Sequence, residues 1–282
     1  MNILELERQL KEKTKINWTI GVSTLLSPRD PAKGIRELLE ELDGLRRIEI
    51  ALAKQLDEEE ETVKQLINLR EKHGLDYSVH TPFLYDNLAH PKKQLRQIHV
   101  EEGKKAIDLA ARLKARYVVF HPGELFFRNN LPPVEVFKSF KRPRESYLES
   151  SLESFQTLSS HGASLGVNML IENLPHGLCD RAEELEYLLS NIDNSSFILD
   201  IGHANISRSL EELLELKPQF FHFNDNDGKV DDHRQMGKGA INLTYLLNRM
   251  ASYDGDKTII FELYSLEDVL GSLRALENYL ED

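Results

Sequence analysis

The stretch RQIHVEEGKKAIDLAARLKARYVVFHP (residues 96–122) decides the fold, because it holds one complete repeat of a pattern that recurs along the chain. Its first part places Ile107, Ala110 and Leu113 on one face of a helix. Its second part is short and rich in β-branched and aromatic residues, as strands buried on both faces are. The stretch therefore predicts an amphipathic helix followed by a strand of a parallel sheet.

Eight such strand segments alternate with amphipathic segments. The predicted strands are 16–23, 46–52, 76–82, 115–122, 167–174, 195–202, 219–225 and 257–264. Eight strand-and-helix units fit a closed (β/α)₈ barrel better than an open sheet, and 282 residues is a normal length for one such barrel. We predict an α/β fold consisting of a single TIM-barrel domain over residues 1–282.

Two segments depart from the repeat. Residues 1–15 precede the first strand and are expected to form an extra helix or an irregular N-terminal arm. Residues 124–146, ELFFRNNLPPVEVFKSFKRPRES, form a long loop after strand four and mix basic with aromatic side chains. This insertion would lie on the catalytic face of the barrel. It is either a surface excursion or a functional segment, namely a lid or a wall on the phosphate side of the site.

Composition narrows the class of protein. The net charge of −12 argues against a general surface for nucleic acid or anionic membranes, although a local basic groove is still allowed. The single cysteine, Cys179, excludes an internal disulfide and a cysteine-based zinc site, and it favours a cytoplasmic location. No apolar stretch approaches the length of a membrane span, so no membrane partner is expected.

Residues with metal-ligand chemistry fall near the carboxyl ends of the last six predicted strands. They are His80, His121, Glu172, Asp200, His203, His222, Asp231, His233 and Glu262. In a barrel these strand ends meet at the face where catalytic residues gather, so residues far apart in sequence would share one site.

Three of these residues are carboxylates inside apolar strands: Glu172, Asp200 and Glu262. Burying them together is costly without a compensating positive charge, and we identify no lysine or arginine within the three strands that would supply it. A divalent cation would balance the charges. With His222 the set offers oxygen and nitrogen ligands, which suit Zn²⁺ or Mn²⁺.

The stretch FHFNDNDGKVDDHRQMGKG (221–239) adds a possible anion site. It ends in Gly237, Lys238 and Gly239, after strand seven, where many barrels bind phosphate. Glycine lets backbone N–H groups approach an anion, and lysine adds charge. The alternative is an ordinary turn with a solvated lysine.

Six motifs together resemble those of the xylose-isomerase-like barrel superfamily, in the same order. They are SVHTPFLYDNLAHP (78–91), VVFHPGE (118–124), LIENLP (170–175), LDIGHA (199–204), HFNDNDGKVDDHRQMGKG (222–239) and IIFELY (259–264). The superfamily contains sugar and sugar-phosphate isomerases and epimerases, and also the endonuclease IV branch (AP endonuclease family 2), which cuts abasic DNA. The resemblance implies a shared divalent metal on Glu172, Asp200, His222 and Glu262.

The sugar branch implies an isomerase or epimerase that works through a metal-stabilised enediolate. By resemblance, Glu172 and Glu262 would exchange the carbon-bound proton, and His203 or His233 would move oxygen-bound protons. The substrate would be a small sugar or sugar phosphate. The sequence does not indicate which sugar it is, or the oligomeric state.

The repair branch implies a trinuclear zinc centre and abasic DNA as the partner. Its two further ions would use the positions of His80 and His121, and of His203, Asp231 and His233. Over the two branches the expected number of ions is therefore one to three. Phe83 stands where that branch has tyrosine, and the acidic ALAKQLDEEE (51–60) leaves no room for a DNA-reading loop. We therefore favour the sugar branch; a third possibility is a binding or regulatory protein without turnover.

Overall fold

The computed structural model describes residues 1–52, 60–82, 87–125 and 143–281. In them eight parallel strands pair in chain order, and the last strand pairs with the first to close a barrel. The strands are β1 (Trp18–Ser23), β2 (Arg47–Ala51), β3 (Asp76–His80), β4 (Tyr117–Phe120), β5 (Asn168–Glu172), β6 (Ser195–Asp200), β7 (Phe220–Phe223) and β8 (Lys257–Phe261). The prediction of a (β/α)₈ barrel is confirmed.

Helices surround the barrel. They are α1 (Ile3–Thr14), α2 (Pro31–Glu41), α3 (Glu60–His73), α4 (Lys93–Arg112), α5 (Pro143–Leu165), α6 (Ala182–Ser190), α7 (Ile201–Ser207), α8 (Leu210–Leu214), α9 (Leu243–Ala251) and α10 (Leu266–Glu281). Local sequence explains their ends. The Asp30 side chain accepts the Lys33 N–H at 2.9 Å and caps α2, which begins with proline. Gly74, with φ of +64°, follows the last residue of α3.

The segment before the first strand is a helix rather than an irregular arm. Ile3, Leu6 and Leu10 of α1 are buried in the main hydrophobic core. The carboxylate of Glu7 also accepts the backbone N–H of Ile20 in β1 at 2.8 Å. The helix is therefore packed onto the barrel as part of the same core.

The inward-facing residues of the strands change from apolar to ionisable along each strand. Val119, Leu170 and Ile198 form a buried cluster of their own within the barrel. Two residues beyond Leu170 and Ile198 come Glu172 and Asp200, on the same face because side chains alternate with a period of two. The apolar interior thus supports a polar layer at the carboxyl ends of the strands.

The segment between β4 and α5 is long, and its residues 126–142 lie outside the described part of the chain. Most of the expected insertion at 124–146, with its basic and aromatic side chains, therefore lies there. Of its basic residues Arg144 is described, and it belongs to the first turn of α5. Arg144 forms ion pairs with Asp180 and Glu184, so its charge is neutralised within the protein.

In the described part of the chain no helix is both long and apolar enough to cross a membrane.

Candidate active site

Four residues from the ends of four strands form the inner cluster: Glu172, Asp200, His222 and Glu262. Glu172 and Asp200 are the last residues of β5 and β6, His222 lies in β7, and Glu262 directly follows β8. One ligand atom of each lies within 4.8 Å of those of the other three, and all four side chains are buried. The barrel brings together the metal set that the sequence indicated.

Glu172 is the centre of the site. Its Oε1 lies 3.0 Å from His222 Nδ1, and its Oε2 lies 2.9 Å from His80 Nε2 and 3.2 Å from His121 Nε2. The carboxylate therefore has histidine nitrogens next to both oxygens. His80, His121 and Glu172 make a second group that could hold a metal ion, and it shares Glu172 with the inner cluster.

A third group consists of His203, Asp231 and His233. His203 Nε2 lies 3.0 Å from Asp231 Oδ2, and His233 Nε2 lies 3.4 Å from Asp231 Oδ1. His203 belongs to the short helix α7 that directly follows β6, whereas Asp231 and His233 belong to the loop after β7. All nine candidate residues named from the sequence thus lie at one face of the barrel.

Backbone carbonyl oxygens orient three of the histidine rings. The Nδ1 atoms of His80, His203 and His233 lie 2.9, 2.8 and 2.7 Å from the carbonyl oxygens of Thr81, Asn173 and Glu262. A carbonyl can only accept, so each Nδ1 carries a proton and each Nε2 is the nitrogen aimed at a carboxylate. In neutral rings these Nε2 lone pairs would face negative oxygens, so a cation must stand between them, either a proton or a metal ion.

The charges of the site shift the pKa values of its histidines. Burial alone would lower the pKa of His80, but its hydrogen bond to Glu172 and the charges of Glu172 and Glu262 outweigh this and raise it to about 9. Burial is likewise outweighed at His233, where Asp231 and Glu262 raise the pKa to about 9. The pKa of Glu172 lies well below its usual value, because the charges of neighbouring histidines outweigh its burial. The site therefore holds protons tightly when it holds no metal.

The donor set fits a divalent cation. It combines imidazole nitrogens with carboxylate oxygens, a mixture that suits Zn²⁺ or Mn²⁺. Asp231 Oδ1 is buried and has no hydrogen-bond partner among the described residues, although such atoms are normally satisfied. The groups surround a cavity of about 70 Å³, to which Leu25 and Tyr264 also contribute. This space suits ions and a few water molecules, and a larger ligand would bind at its mouth.

Two asparagines hold Asp200 in place. The Asn173 side chain accepts the backbone N–H of Asp200 at 2.9 Å and donates to the carbonyl oxygen of Asp200 at 3.0 Å. Asn224 donates to Asp200 Oδ2 at 2.8 Å, and the backbone N–H of His203 donates to Oδ1 at 2.7 Å. Gly202 lies against Asn224, where a Cβ would come within 1.8 Å of Asn224 Oδ1. The LDIGHA motif therefore needs glycine at this position.

The turn predicted to bind phosphate is anchored by Asp225. The backbone N–H groups of Gly237 and Gly239 donate to Asp225 Oδ2 at 3.0 and 2.9 Å, and that of Lys238 donates to the carbonyl of Gln235. A phosphate at this turn would have to displace the Asp225 carboxylate. Its phosphate role stays a prediction, and the Lys238 ammonium group is the part of the turn that supports it.

Two features of the site were missed or misjudged from the sequence. Glu49 of β2 is fully buried and contacts His222, yet it was not among the candidates. The signal was present, since RIEIA places a carboxylate in an apolar strand just as LIENLP does.

The expectation that the strands of Glu172, Asp200 and Glu262 contain no lysine was wrong, because β8 begins with the buried Lys257. Lys257 is five positions before Glu262, about 16 Å along a strand, so its charge does not balance the cluster.

The geometry defines a class of protein: a (β/α)₈ barrel with a cluster of histidines and carboxylates at the carboxyl ends of its strands. The chain belongs to the xylose isomerase-like TIM barrel family, whose model matches residues 37–279. The family is named for its likeness to xylose isomerase, and one similar solved structure is described as a D-tagatose 3-epimerase-like protein.

Individual proteins are similar to this chain over most of its length. The crystal structure of a D-tagatose 3-epimerase-like protein is 26% identical, covers 93% of this chain and 97% of its own, and superimposes with a TM-score of 0.79. The TTHB071 protein from Thermus thermophilus, whose crystal was soaked with ZnCl₂, is 24% identical, with coverages of 93% and 97% and a TM-score of 0.68. The uncharacterized protein MJ1311 of Methanocaldococcus jannaschii is 27% identical over 230 residues, or 78% of this chain and 75% of its own length.

Proposed function

We propose that the protein is a divalent-metal-dependent isomerase or epimerase of a sugar or sugar phosphate. The observation that carries the proposal is the inner cluster, which brings Glu172 and Glu262 from β5 and from the end of β8 within 4.8 Å of each other beside Asp200 and His222. The likeness to a D-tagatose 3-epimerase-like protein supports a sugar as the substrate.

Glu172, Asp200, His222 and Glu262 would hold the metal, with Zn²⁺ or Mn²⁺ as the ions that best suit these ligands. When bound, the ion would polarise the carbonyl and hydroxyl oxygens of the sugar and stabilise the charge of an enediolate. Asn173 and Asn224 would keep Asp200 in place, because they fix its backbone and its Oδ2.

The two glutamates are the candidates for moving the carbon-bound proton. They come from different strands, so each would approach the reacting carbon of a sugar bound at the mouth of the cavity from a different direction. One would remove the proton and the other would return it. His203 and His233 would carry protons on and off the sugar oxygens, since both rings line the same cavity as the two glutamates. Lys238 would contact the phosphate of a phosphorylated substrate.

Proton exchange with solvent tests this proposal directly. The zinc- or manganese-loaded protein is incubated in D₂O with ketopentoses and ketohexoses, free and phosphorylated, and deuterium at the carbon next to the carbonyl is followed by NMR. At least one sugar should exchange, and Glu172→Gln and Glu262→Gln should each slow it by about 10²–10⁴-fold. Glu153→Gln is the matched control, because Glu153 is an exposed carboxylate that pairs with Arg96. Absence of exchange with every sugar would contradict the proposal.

A second candidate is hydrolysis of phosphodiesters at abasic DNA sites with three zinc ions. The observation that favours it is the pair of additional groups, His80 with His121 on Glu172, and His203 with His233 on Asp231. In this function Glu172 would serve two ions at once, since both of its oxygens face histidines. Abasic DNA would then be the partner, and the basic residues at 128–142, which lie outside the described residues, would contact its phosphates.

Metal content and an incision assay separate the two functions. Near one zinc equivalent supports the isomerase, and near three supports the nuclease. Metal-dependent nicking of an abasic duplex that Glu172→Gln abolishes would establish the second candidate. Asp231→Asn should remove one zinc equivalent and the nicking only in that case, because Asp231 lies outside the inner cluster. Cytoplasmic location stays a prediction.

A further inference from the structure

Glu49 is a fully buried carboxylate in the middle of β2. A charge in such a place is costly unless it is bonded to donors. Glu49 has two: Ser78 Oγ donates to Oε2 at 3.0 Å, and His222 Nε2 lies 2.9 Å from Oε1. The carboxylate therefore links the first half of the barrel to a member of the inner cluster.

The ring of His222 stands between two sets of carboxylates. On one side Nδ1 lies 3.0 Å from Glu172 Oε1 and 3.4 Å from Glu262 Oε2. On the other side Nε2 faces Glu49. A neutral imidazole carries one N–H, so if Nδ1 gives its lone pair to a cation, the proton must be on Nε2. Glu49 is the acceptor that fixes it there.

We propose that Glu49 is a positioning residue for the inner cluster, which keeps the Nε2 of His222 protonated and its Nδ1 aimed at the metal position. The inference rests on the metal site of the proposed function. The contact with Glu49 sets His222 apart from His80, His203 and His233, whose rings donate to backbone carbonyls instead. A carboxylate partner makes a ligating ring a stronger donor than a neutral carbonyl does. The affinity of the inner site therefore depends on a side chain that does not touch the metal.

The test is the zinc affinity of Glu49→Gln, measured by competition with a chromophoric chelator. Glutamine keeps the shape and can still accept from Nε2, but it lacks the charge. Zinc at the inner site should bind about 10–100-fold more weakly, while the circular dichroism of the metal-free protein stays that of the wild type. Unchanged zinc affinity in folded Glu49→Gln overturns the proposal.

Tyr77→Phe is the matched control. Tyr77 is also fully buried in the neighbouring strand β3, and its hydroxyl donates to the carbonyl of Leu66 at 3.0 Å, away from the cluster. This variant loses a buried hydrogen bond as well, so it should be less stable but bind zinc with wild-type affinity. An equal loss of affinity in Tyr77→Phe would mean that Glu49 acts through general stability, and would overturn the proposal.

A measurement on the wild type covers the case in which Glu49→Gln does not fold. In ¹⁵N-labelled, zinc-loaded protein, the proton of the His222 ring should be found on Nε2 and the zinc-shifted resonance should be Nδ1. Zinc on Nε2 overturns the proposal. If the wild type binds no zinc at all, the metal site of the proposed function fails. If the wild type binds zinc and Glu49→Gln binds it equally well, only the role of Glu49 fails.

Discussion

Replacing Asp225 by asparagine should destabilise the loop that carries Asp231 and His233. The Asp225 carboxylate accepts four backbone N–H groups. Oδ1 accepts those of Asn226 and Ile241 at 2.8 and 3.1 Å, and Oδ2 accepts those of Gly237 and Gly239 at 3.0 and 2.9 Å. Its backbone also pairs with that of Arg234, so the residues between them form a closed loop.

The expected loss follows from this count of hydrogen bonds. Asparagine keeps one oxygen, so two of the four hydrogen bonds are lost. The amide nitrogen that replaces the other oxygen is itself a donor and would face two backbone N–H groups. At about 1.5–3 kcal/mol for each hydrogen bond to a charged group, the free energy of unfolding should fall by about 3–6 kcal/mol. For a chain of this size that lowers the melting temperature by roughly 6–24 °C.

The assay is thermal unfolding of the metal-free protein, followed by circular dichroism. Asp227→Asn is the control, because it removes the same charge from the same loop, but Asp227 is exposed and lies 3.9 Å from Arg234. It should change stability by no more than about 0.5 kcal/mol. If Asp225→Asn melts within about 2 °C of Asp227→Asn, the four bonds do not anchor the loop and the reasoning is refuted.

Three further predictions concern protons and packing. Metal-free protein should be most stable below about pH 6.5 and should lose stability toward pH 9, because the pKa values of His80 and His233 rise from an ordinary 6.5 to about 9 on folding. A melting temperature that stays constant or rises between these pH values, measured in the presence of a chelator, would contradict this. Zinc uptake at the inner cluster near pH 7 should release protons, because burial is outweighed at His222 by the charges of Glu262 and Glu49, which raise its pKa well above the usual value, and a ligating ring must give up its extra proton; calorimetry in buffers of different ionisation enthalpy should show no such release if His222 is not a ligand. Gly202→Ala should lower the free energy of unfolding by about 1–3 kcal/mol and weaken zinc binding, because the new Cβ would push Asn224 away from Asp200. A variant with the melting temperature and zinc affinity of the wild type would show that Asn224 does not hold Asp200 in place.

The sequence predicted the barrel well because the fold depends on short-range patterns. Strand segments of β-branched and aromatic residues alternate with helical periodicity, and the eight observed strands fall within the eight predicted segments. The same alternation placed Glu172 and Asp200 near the carboxyl ends of predicted strands. Burial of like charges then indicated a cation without any knowledge of the three-dimensional contacts.

The rest depended on contacts that sequence patterns do not encode. Glu49 was overlooked because it lies mid-strand rather than at a strand end, and only the closed barrel brings it to His222, 173 positions away. The partner of the Gly237–Gly239 turn was also invisible, since Asp225 reads as one aspartate among several in a polar loop. Arg144 looked like part of a basic segment, but it pairs with Glu184 of α6 and with Asp180 just before that helix.

The main chain links the groups of the site in a way that bears on how such a barrel could evolve. Glu262 contributes its carboxylate to the inner cluster and its carbonyl oxygen to the ring of His233, while the carbonyl oxygen of Asn173, directly after Glu172, holds the ring of His203. A substitution that shifts the end of β5 or β8 therefore alters two groups of ligands at once. New specificities would more readily arise in the surrounding loops, while the strand ends change together or hardly at all.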